Sequence, residues 1–83
     1  MLQPRLLKVD ALPNLKLLLS YETGESKLFD VSPYANGSWY VMLSDESYFK
    51  SVRLLPGGIG IEWPDGQDVS PHELYDLSVP YVD

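Results

Sequence analysis

The stretch that decides the fold lies near the C-terminus and reads IGIEWPDGQDVSPHELY over residues 59–75. Its apolar residues Ile59, Ile61 and Trp63 occupy alternate positions, which is the pattern of a strand with one buried face. Pro64-Asp65-Gly66 follows directly and carries turn-forming residues that end the strand. The first half of the stretch therefore predicts a strand from Ile59 to Trp63 that runs into a tight turn.

The second half of the stretch carries the signals of a helix start. Ser70 is a preferred N-cap residue, Pro71 suits the first helical position, and Glu73 can reach back as the second partner of a capping box. We expect a helix from Pro71 to about Asp76. The residues to which we assign structural roles are Trp63, Gly66, Ser70 and Pro71.

Upstream of this stretch, the chain alternates between strand patterns and turns. Strands are predicted at residues 5–12, 15–21, 26–31 and 51–55, and the alternation of apolar residues is clearest at 15–21. Loops containing glycine at residues 22–25 and 56–58 join neighbouring strands as hairpins. Leu18 breaks the alternation of the second strand, so it belongs either to a partly covered second face or to a contact surface.

Short helical segments are expected between the third and fourth strands. Ser32-Pro33 repeats the N-cap and proline signal and begins a short turn. Trp39, Met42 and Leu43 lie three and four residues apart and would be buried together on a segment from Ser38 to Leu43. The sequence thus predicts a single α+β domain over residues 1–83, with one small antiparallel or mixed sheet of about five strands and two or three short helices.

Charge is distributed unevenly along the 83 residues. The net charge is −6, and residues 54–83 contain six acidic residues without a single lysine or arginine. Such a surface repels nucleic acid and attracts a basic protein. The longest apolar runs are far shorter than the ~20 residues of a membrane helix, and since no basic segment precedes an apolar run we expect no signal peptide. We expect a cytoplasmic protein that binds neither nucleic acid nor membranes.

Catalytic and metal-binding patterns are weak in this sequence. His72 lies between Pro71 and Glu73, where helix capping explains its neighbours, so we assign no catalytic residue. The spacing of Asp65 and Asp68 is not that of a calcium loop, and the absence of cysteine excludes disulfides and thiolate zinc sites. We expect no metal and no cofactor. A metal-dependent enzyme or a small-ligand sensor that uses the acidic Glu62–Asp68 region remains the alternative.

Several segments together resemble a known family. Asp30-Val31-Ser32-Pro33, residues 43–49 and above all residues 61–75 are similar to the bacterial domain-of-unknown-function family numbered 2442. The resemblance implies a compact α+β fold in a bacterial cytoplasmic protein, and it supplies no catalytic residues. Some relatives carry an added helix-turn-helix domain. Others are encoded beside a second small family, in an arrangement similar to a toxin–antitoxin pair.

These observations favour a non-catalytic protein-interaction module, of the kind that serves as the antitoxin-like partner of a small basic protein. Tyrosine is a common anchor of protein interfaces, and acidic side chains suit a basic partner. The predicted partner-binding residues are Glu62, Asp65, Asp68, Glu73 and Tyr75. A homo-oligomer is a further expectation, with Leu18 and Leu28 as its surface.

Overall fold

The computed structural model describes residues 3–34 and 40–81. Its strands and helices are β1 (Leu6–Leu12), β2 (Lys16–Tyr21), β3 (Ser26–Asp30), α1 (Glu46–Phe49), β4 (Arg53–Leu54), β5 (Ile61–Glu62), β6 (Asp68–Val69), α2 (Pro71–Leu77) and β7 (Val79–Pro80). Short 3₁₀ turns lie at Ser32–Tyr34, Tyr40–Ser44 and Pro56–Gly58. The predicted α+β class is confirmed. The described strands number seven in two sheets, where the sequence predicted about five in one.

The two sheets are both antiparallel. The large sheet has the strand order β1-β2-β3-β7, and the small sheet has the order β4-β5-β6. In the large sheet Leu17 lies opposite Ala11 on one side and Phe29 on the other, and Leu19 lies opposite Val9. Because side chains alternate along a strand, this register points one row of apolar side chains from each strand into the core.

The core lies between the inner face of the large sheet, the small sheet and the helices. Trp63 is fully buried, and its indole Nε1 donates a hydrogen bond to the carbonyl oxygen of Phe49 at 2.9 Å. The two rings lie 5.8 Å apart between centroids. The buried apolar residues are Leu6, Leu17, Leu19, Tyr21, Phe29, Val31, Leu43, Phe49, Ile61, Trp63, Val69 and Leu74.

Ile59 corrects the prediction from the sequence. It is 61% exposed, whereas Ile61 and Trp63 are buried. Gly58 and Gly60 have φ angles of +69° and +150°, so the backbone is still turning at Ile59 and the strand begins at Ile61. At Gly58 an added Cβ would lie 2.3 Å from the carbonyl oxygen of Leu6, so this turn packs closely against β1.

The segment before α1 is confirmed in part. Leu43 is fully buried, but Met42 is 39% exposed, so the predicted joint burial of these two residues is wrong. The described part of this segment is a 3₁₀ turn, whose spacing of three residues per turn directs adjacent side chains differently from an α-helix. Trp39, which completes the predicted group, lies outside the described residues. Asp45 caps α1 by accepting hydrogen bonds from the backbone of Ser47 and Tyr48.

The β1–β2 turn contains two residues in the left-handed region. Asn14 has a φ of 65° and Leu15 a φ of 59°. Asparagine tolerates this region, whereas a leucine there is strained by about 1–2 kcal/mol. The strain at Leu15 is offset by its packing against the core and by its carbonyl oxygen, which accepts a hydrogen bond from the Val31 backbone at 2.8 Å.

Helix α2 begins as predicted but uses its glutamate differently. Ser70 is the N-cap and its hydroxyl oxygen accepts a hydrogen bond from the backbone nitrogen of Glu73, while Pro71 occupies the first turn. The Glu73 carboxylate accepts a hydrogen bond from the Tyr34 hydroxyl at 2.8 Å rather than reaching back to the N-cap. Beyond α2, strand β7 pairs with β3 through Leu28 and Val79. No helix in residues 3–34 and 40–81 is long and apolar enough to cross a membrane.

Candidate functional site

The first group of predicted partner-binding residues lies on the small sheet and its turn. Arg53, Glu62 and Asp68 are neighbours in one row across β4, β5 and β6. The Arg53 guanidinium forms an ion pair with Glu62, with its Nε 3.0 Å from Oε1. Asp68 is exposed at the far end of the row, and Asp65 is exposed in the adjacent turn. Glu62, Asp65 and Asp68 are called the turn acids below.

Two residues that the sequence did not single out hold this turn in place. Tyr48 accepts a hydrogen bond from the backbone nitrogen of Asp65 at 2.9 Å and donates one to the Gln67 side-chain oxygen at 2.6 Å. Gln67 is fully buried, and its backbone carbonyl oxygen accepts a hydrogen bond from the backbone nitrogen of Trp63. With its backbone fixed in this way, Asp65 presents its carboxylate to solvent.

The second group lies on helix α2, where Glu73 and Asp76 are exposed. These two residues are called the helix acids below. Glu73 is tied to Tyr34. Burial, followed by the hydrogen bond to the Glu73 carboxylate, raises the pKa of Tyr34 to about 12. The bond holds the 3₁₀ turn at Ser32–Tyr34 against α2 and fixes the position of one acidic side chain of the helix.

Tyr75 lies on α2 but turns towards the large sheet. Its hydroxyl donates to the Glu25 carboxylate, at 2.9 and 3.0 Å from the two oxygens. The Lys27 ammonium donates to the Tyr75 carbonyl oxygen at 2.6 Å and lies 3.8 Å from the centre of its ring. Hydrogen bonds from Thr23 and Tyr75 lower the pKa of Glu25. Tyr75 therefore joins α2 to β3 and to the β2–β3 loop.

A cleft of about 600 Å³ lies beside this contact. Its walls are Gln3, Pro4, Glu22, Thr23, His72, Tyr75 and Asp76. Two buried polar atoms in this part of the molecule, Gln3 Oε1 and Tyr21 Oη, have no hydrogen-bond partner within residues 3–34 and 40–81. The Tyr21 ring meets the Tyr75 ring edge-on at 5.2 Å between centroids. With the carboxylates of Glu22 and Asp76 in its walls, the cleft suits a donor such as an ammonium or guanidinium group.

The single histidine of the chain, His72, lies close to Ser70 at the start of α2. Ser70 is engaged as a helix cap, and His72 lies on the wall of the cleft. Across the part of the chain that the structure describes, no three histidine, cysteine, aspartate or glutamate side chains are grouped so that they could hold a metal ion. A second cleft of about 480 Å³ lies between the β1–β2 turn and α1, and none of the predicted site residues lines it.

The charges of the described residues are unequally matched. Four basic side chains lie in ion pairs, namely Lys8–Asp10, Lys16–Asp30, Lys50–Glu46 and Arg53–Glu62. Lys27 is buried at the C-terminal turn of α2. Asp65, Asp68 and Asp76 are exposed, and within residues 3–34 and 40–81 no cation lies within ion-pair distance of them. Two of the turn acids, Asp65 and Asp68, and both helix acids therefore carry negative charge that no ion pair among the described residues compensates.

Comparison with known proteins gives one match. The family model described as protein of unknown function (DUF2442) matches residues 6–80. No curated protein and no solved structure matches the chain. The matched range includes both sheets and both helices, together with all five predicted partner-binding residues.

Proposed function

The chain belongs to the DUF2442 family of proteins of unknown function, and we propose that it is a non-catalytic protein-interaction module that binds a basic protein. The observation that carries this proposal is the placement of unmatched carboxylates on the small-sheet turn and on α2. Lysine and arginine elsewhere in the described chain are largely taken up by ion pairs within the molecule. An acidic surface of this kind steers a basic partner and sets the register of binding.

The turn acids and the helix acids have different surroundings, which suit different roles in binding. The turn acids stand on a rigid backbone, because Tyr48 and Gln67 fix the turn from inside. Asp76, one of the helix acids, lines the cleft beside Tyr75, whose ring offers an aromatic wall to a basic side chain. Aromatic residues beside a pocket are frequent anchors of binding energy, whereas rim charges act mainly on the association rate.

The proposed partner is a small basic protein, which corresponds to the toxin of an antitoxin-like pair in the bacterial cytoplasm. Binding of this type weakens as salt is added, because exposed charges are screened over about 8 Å at physiological ionic strength. A steep salt dependence is therefore a required property of the complex. A complex that ignores salt would have to rest on apolar contacts instead.

The test is co-purification from the native cells with the tagged chain as bait. The variant Asp65→Asn/Asp68→Asn removes two unmatched carboxylates, and Asp10→Asn/Glu46→Gln removes two that are engaged in ion pairs. Both variants change the net charge equally. We expect a basic protein to be recovered with the wild-type chain and with the second variant, and to be lost with the first.

Two results would overturn the proposal. One is equal recovery of the partner with both variants, because binding would then depend on total charge or on another surface. The other is an acidic partner that stays bound as salt is raised. Replacement of Asp76 by asparagine, measured in the same assay, shows whether the cleft contributes beside the turn acids.

A further inference from the structure

The outer face of the large sheet carries a pattern that the proposed function does not use. Side chains that point away from the core form three rows across the strands. The rows are Leu12, Lys16 and Asp30; then Asp10, Leu18, Leu28 and Val79; then Lys8, Ser20 and Ser26. The middle row is apolar across β2, β3 and β7, and the rows beside it are polar on β2 and β3. Val79 is 56% exposed.

Charge distinguishes this face from the rest of the molecule. Lys8 pairs with Asp10 and Lys16 pairs with Asp30, so the four charges on the face sum to zero. The net charge of the whole chain is −6, and the turn acids and helix acids lie elsewhere. A second copy can therefore approach the outer face without the repulsion that it would meet on the acidic surfaces.

We propose that the outer face of the large sheet binds the same face of a second copy of this chain in a twofold dimer. The twofold axis of this dimer lies between the large sheets of the two copies, parallel to the strands and midway between β2 and β3. This axis exchanges β2 and β3, so it places Leu18 of one copy over Leu28 of the other. The same operation places Lys16 of one copy opposite Asp30 of the other. At these four positions the face is complementary to itself, apolar against apolar and basic against acidic, as a twofold interface requires.

The size of the face sets the strength of this dimer. Strand β2 has six residues, and at about 3.4 Å per residue it is roughly 20 Å long. Four strands about 4.8 Å apart give a similar width, so each copy contributes on the order of 400 Å². A total of roughly 800 Å² lies in the range of weak contacts. We expect a dimer in equilibrium with monomer, formed as concentration rises.

The test uses charge reversal at the two residues that exchange partners. With Lys16→Asp, positions 16 and 30 that face each other across the dimer are both acidic. With Asp30→Lys they are both basic. Sedimentation velocity over a concentration series should show concentration-dependent dimers for the wild-type chain and monomers for each variant alone. An equimolar mixture of the two variants should dimerise again, because each copy then meets its opposite charge. Far-UV circular dichroism verifies that both variants fold.

A second variant tests the apolar row without touching the ion pair. Val79→Glu changes an exposed side chain and should leave a folded monomer, whereas Asp65→Asn/Asp68→Asn should dimerise like the wild-type chain. Three results would overturn the proposal: a wild-type chain that stays monomeric to millimolar concentration, a mixture that stays monomeric when the wild-type chain dimerises, or a dimer that survives Val79→Glu.

Discussion

Two buried polar side chains join a helix to a sheet in this molecule, and they do so by different chemistry. Lys27 on β3 is 9% exposed and reaches the Tyr75 carbonyl oxygen and ring on α2. Gln67, which precedes β6, is fully buried and accepts a hydrogen bond from Tyr48 on α1. The contact of Lys27 uses a charged donor, the ammonium group. The contact of Gln67 uses only neutral hydrogen-bonding groups.

The difference decides what each contact contributes. A buried ammonium loses hydration, and the carbonyls at the end of α2 and the Tyr75 ring largely offset that loss. An apolar chain of similar length could therefore take its place at small cost. Gln67 instead links groups whose hydrogen bonds depend on it, and an unmet buried donor or acceptor costs about 1–3 kcal/mol. We infer that the contact between Gln67 and Tyr48 stabilises the fold more strongly than the contact between Lys27 and Tyr75.

The largest expected effect comes from removing the Trp63 side chain, which lies beside the contact between Gln67 and Tyr48. Trp63→Ala removes a fully buried indole and the hydrogen bond to Phe49. Removal of a buried tryptophan costs about 3–5 kcal/mol, which is a large part of the stability of a domain this small. Urea denaturation followed by circular dichroism measures the loss. A loss below 1 kcal/mol would show that the indole does not hold the small sheet in place.

The next prediction compares the two polar side chains directly. Gln67→Leu should lower the free energy of unfolding by about 2 kcal/mol, because it leaves the Tyr48 hydroxyl without its acceptor. Lys27→Met keeps the apolar stem and should cost less than about 1 kcal/mol. Both variants are measured by urea denaturation. The reverse order of the two losses would contradict the comparison.

A smaller effect is expected at alkaline pH, and it arises on the large-sheet side. Burial, then the charges of Tyr75 and Glu25, raise the pKa of Tyr21 to about 12, and the pKa of Tyr34 is also raised to about 12. The folded protein therefore retains protons that the unfolded chain releases near pH 10. The contribution of these two hydroxyls to the free energy of unfolding is fully present below pH 10 and is lost as the pH rises towards 12.

Thermal unfolding at a series of pH values measures this loss. Tyr34→Phe should flatten the decline, since one of the tyrosines with a raised pKa is then absent. A profile that stays level between pH 10 and 12 would show that neither hydroxyl titrates differently in the folded protein.

The smallest effect is expected at Tyr21. Its hydroxyl is buried and has no hydrogen-bond partner among the described residues, so Tyr21→Phe removes an unmet polar group and keeps the ring contact with Tyr75. Stability should be unchanged or rise slightly. Tyr34→Phe is the matched control, and it should lose about 0.5–1.5 kcal/mol with its bond to Glu73. Chemical denaturation of both variants in parallel gives the comparison, and a marked loss for Tyr21→Phe would reveal a partner for its hydroxyl.

The sequence predicted those parts of the fold that depend on local pattern. Alternation placed Leu17, Leu19 and Trp63 in the core, and the Ser70-Pro71 signal located the start of α2. The strand at Ile59 was placed too early because flanking glycines extend the turn. Strands β6 and β7 have only two residues each, which is too short for a visible period.

The candidate site was predicted as a set of acidic residues but not as an arrangement. Exposure of Asp65, Asp68 and Glu73 follows from their charge. Their separation into turn acids and helix acids depends on tertiary structure. The bond between Tyr75 and Glu25 joins residues fifty positions apart, and Lys27 is buried by that same distant helix. A lysine in an alternating strand gives no sign of burial, because its usual place is in solvent.

Strand β7 has a consequence for how molecules of this kind meet side by side. It pairs with β3 through only two residues, and one of them is Pro80. Proline has no backbone N–H group, so the outer edge of the sheet lacks a donor at that position. A short strand ending in proline is a poor template for a strand from a neighbouring molecule. Sheet extension, the usual route to fibrous aggregates, is thereby hindered along this edge.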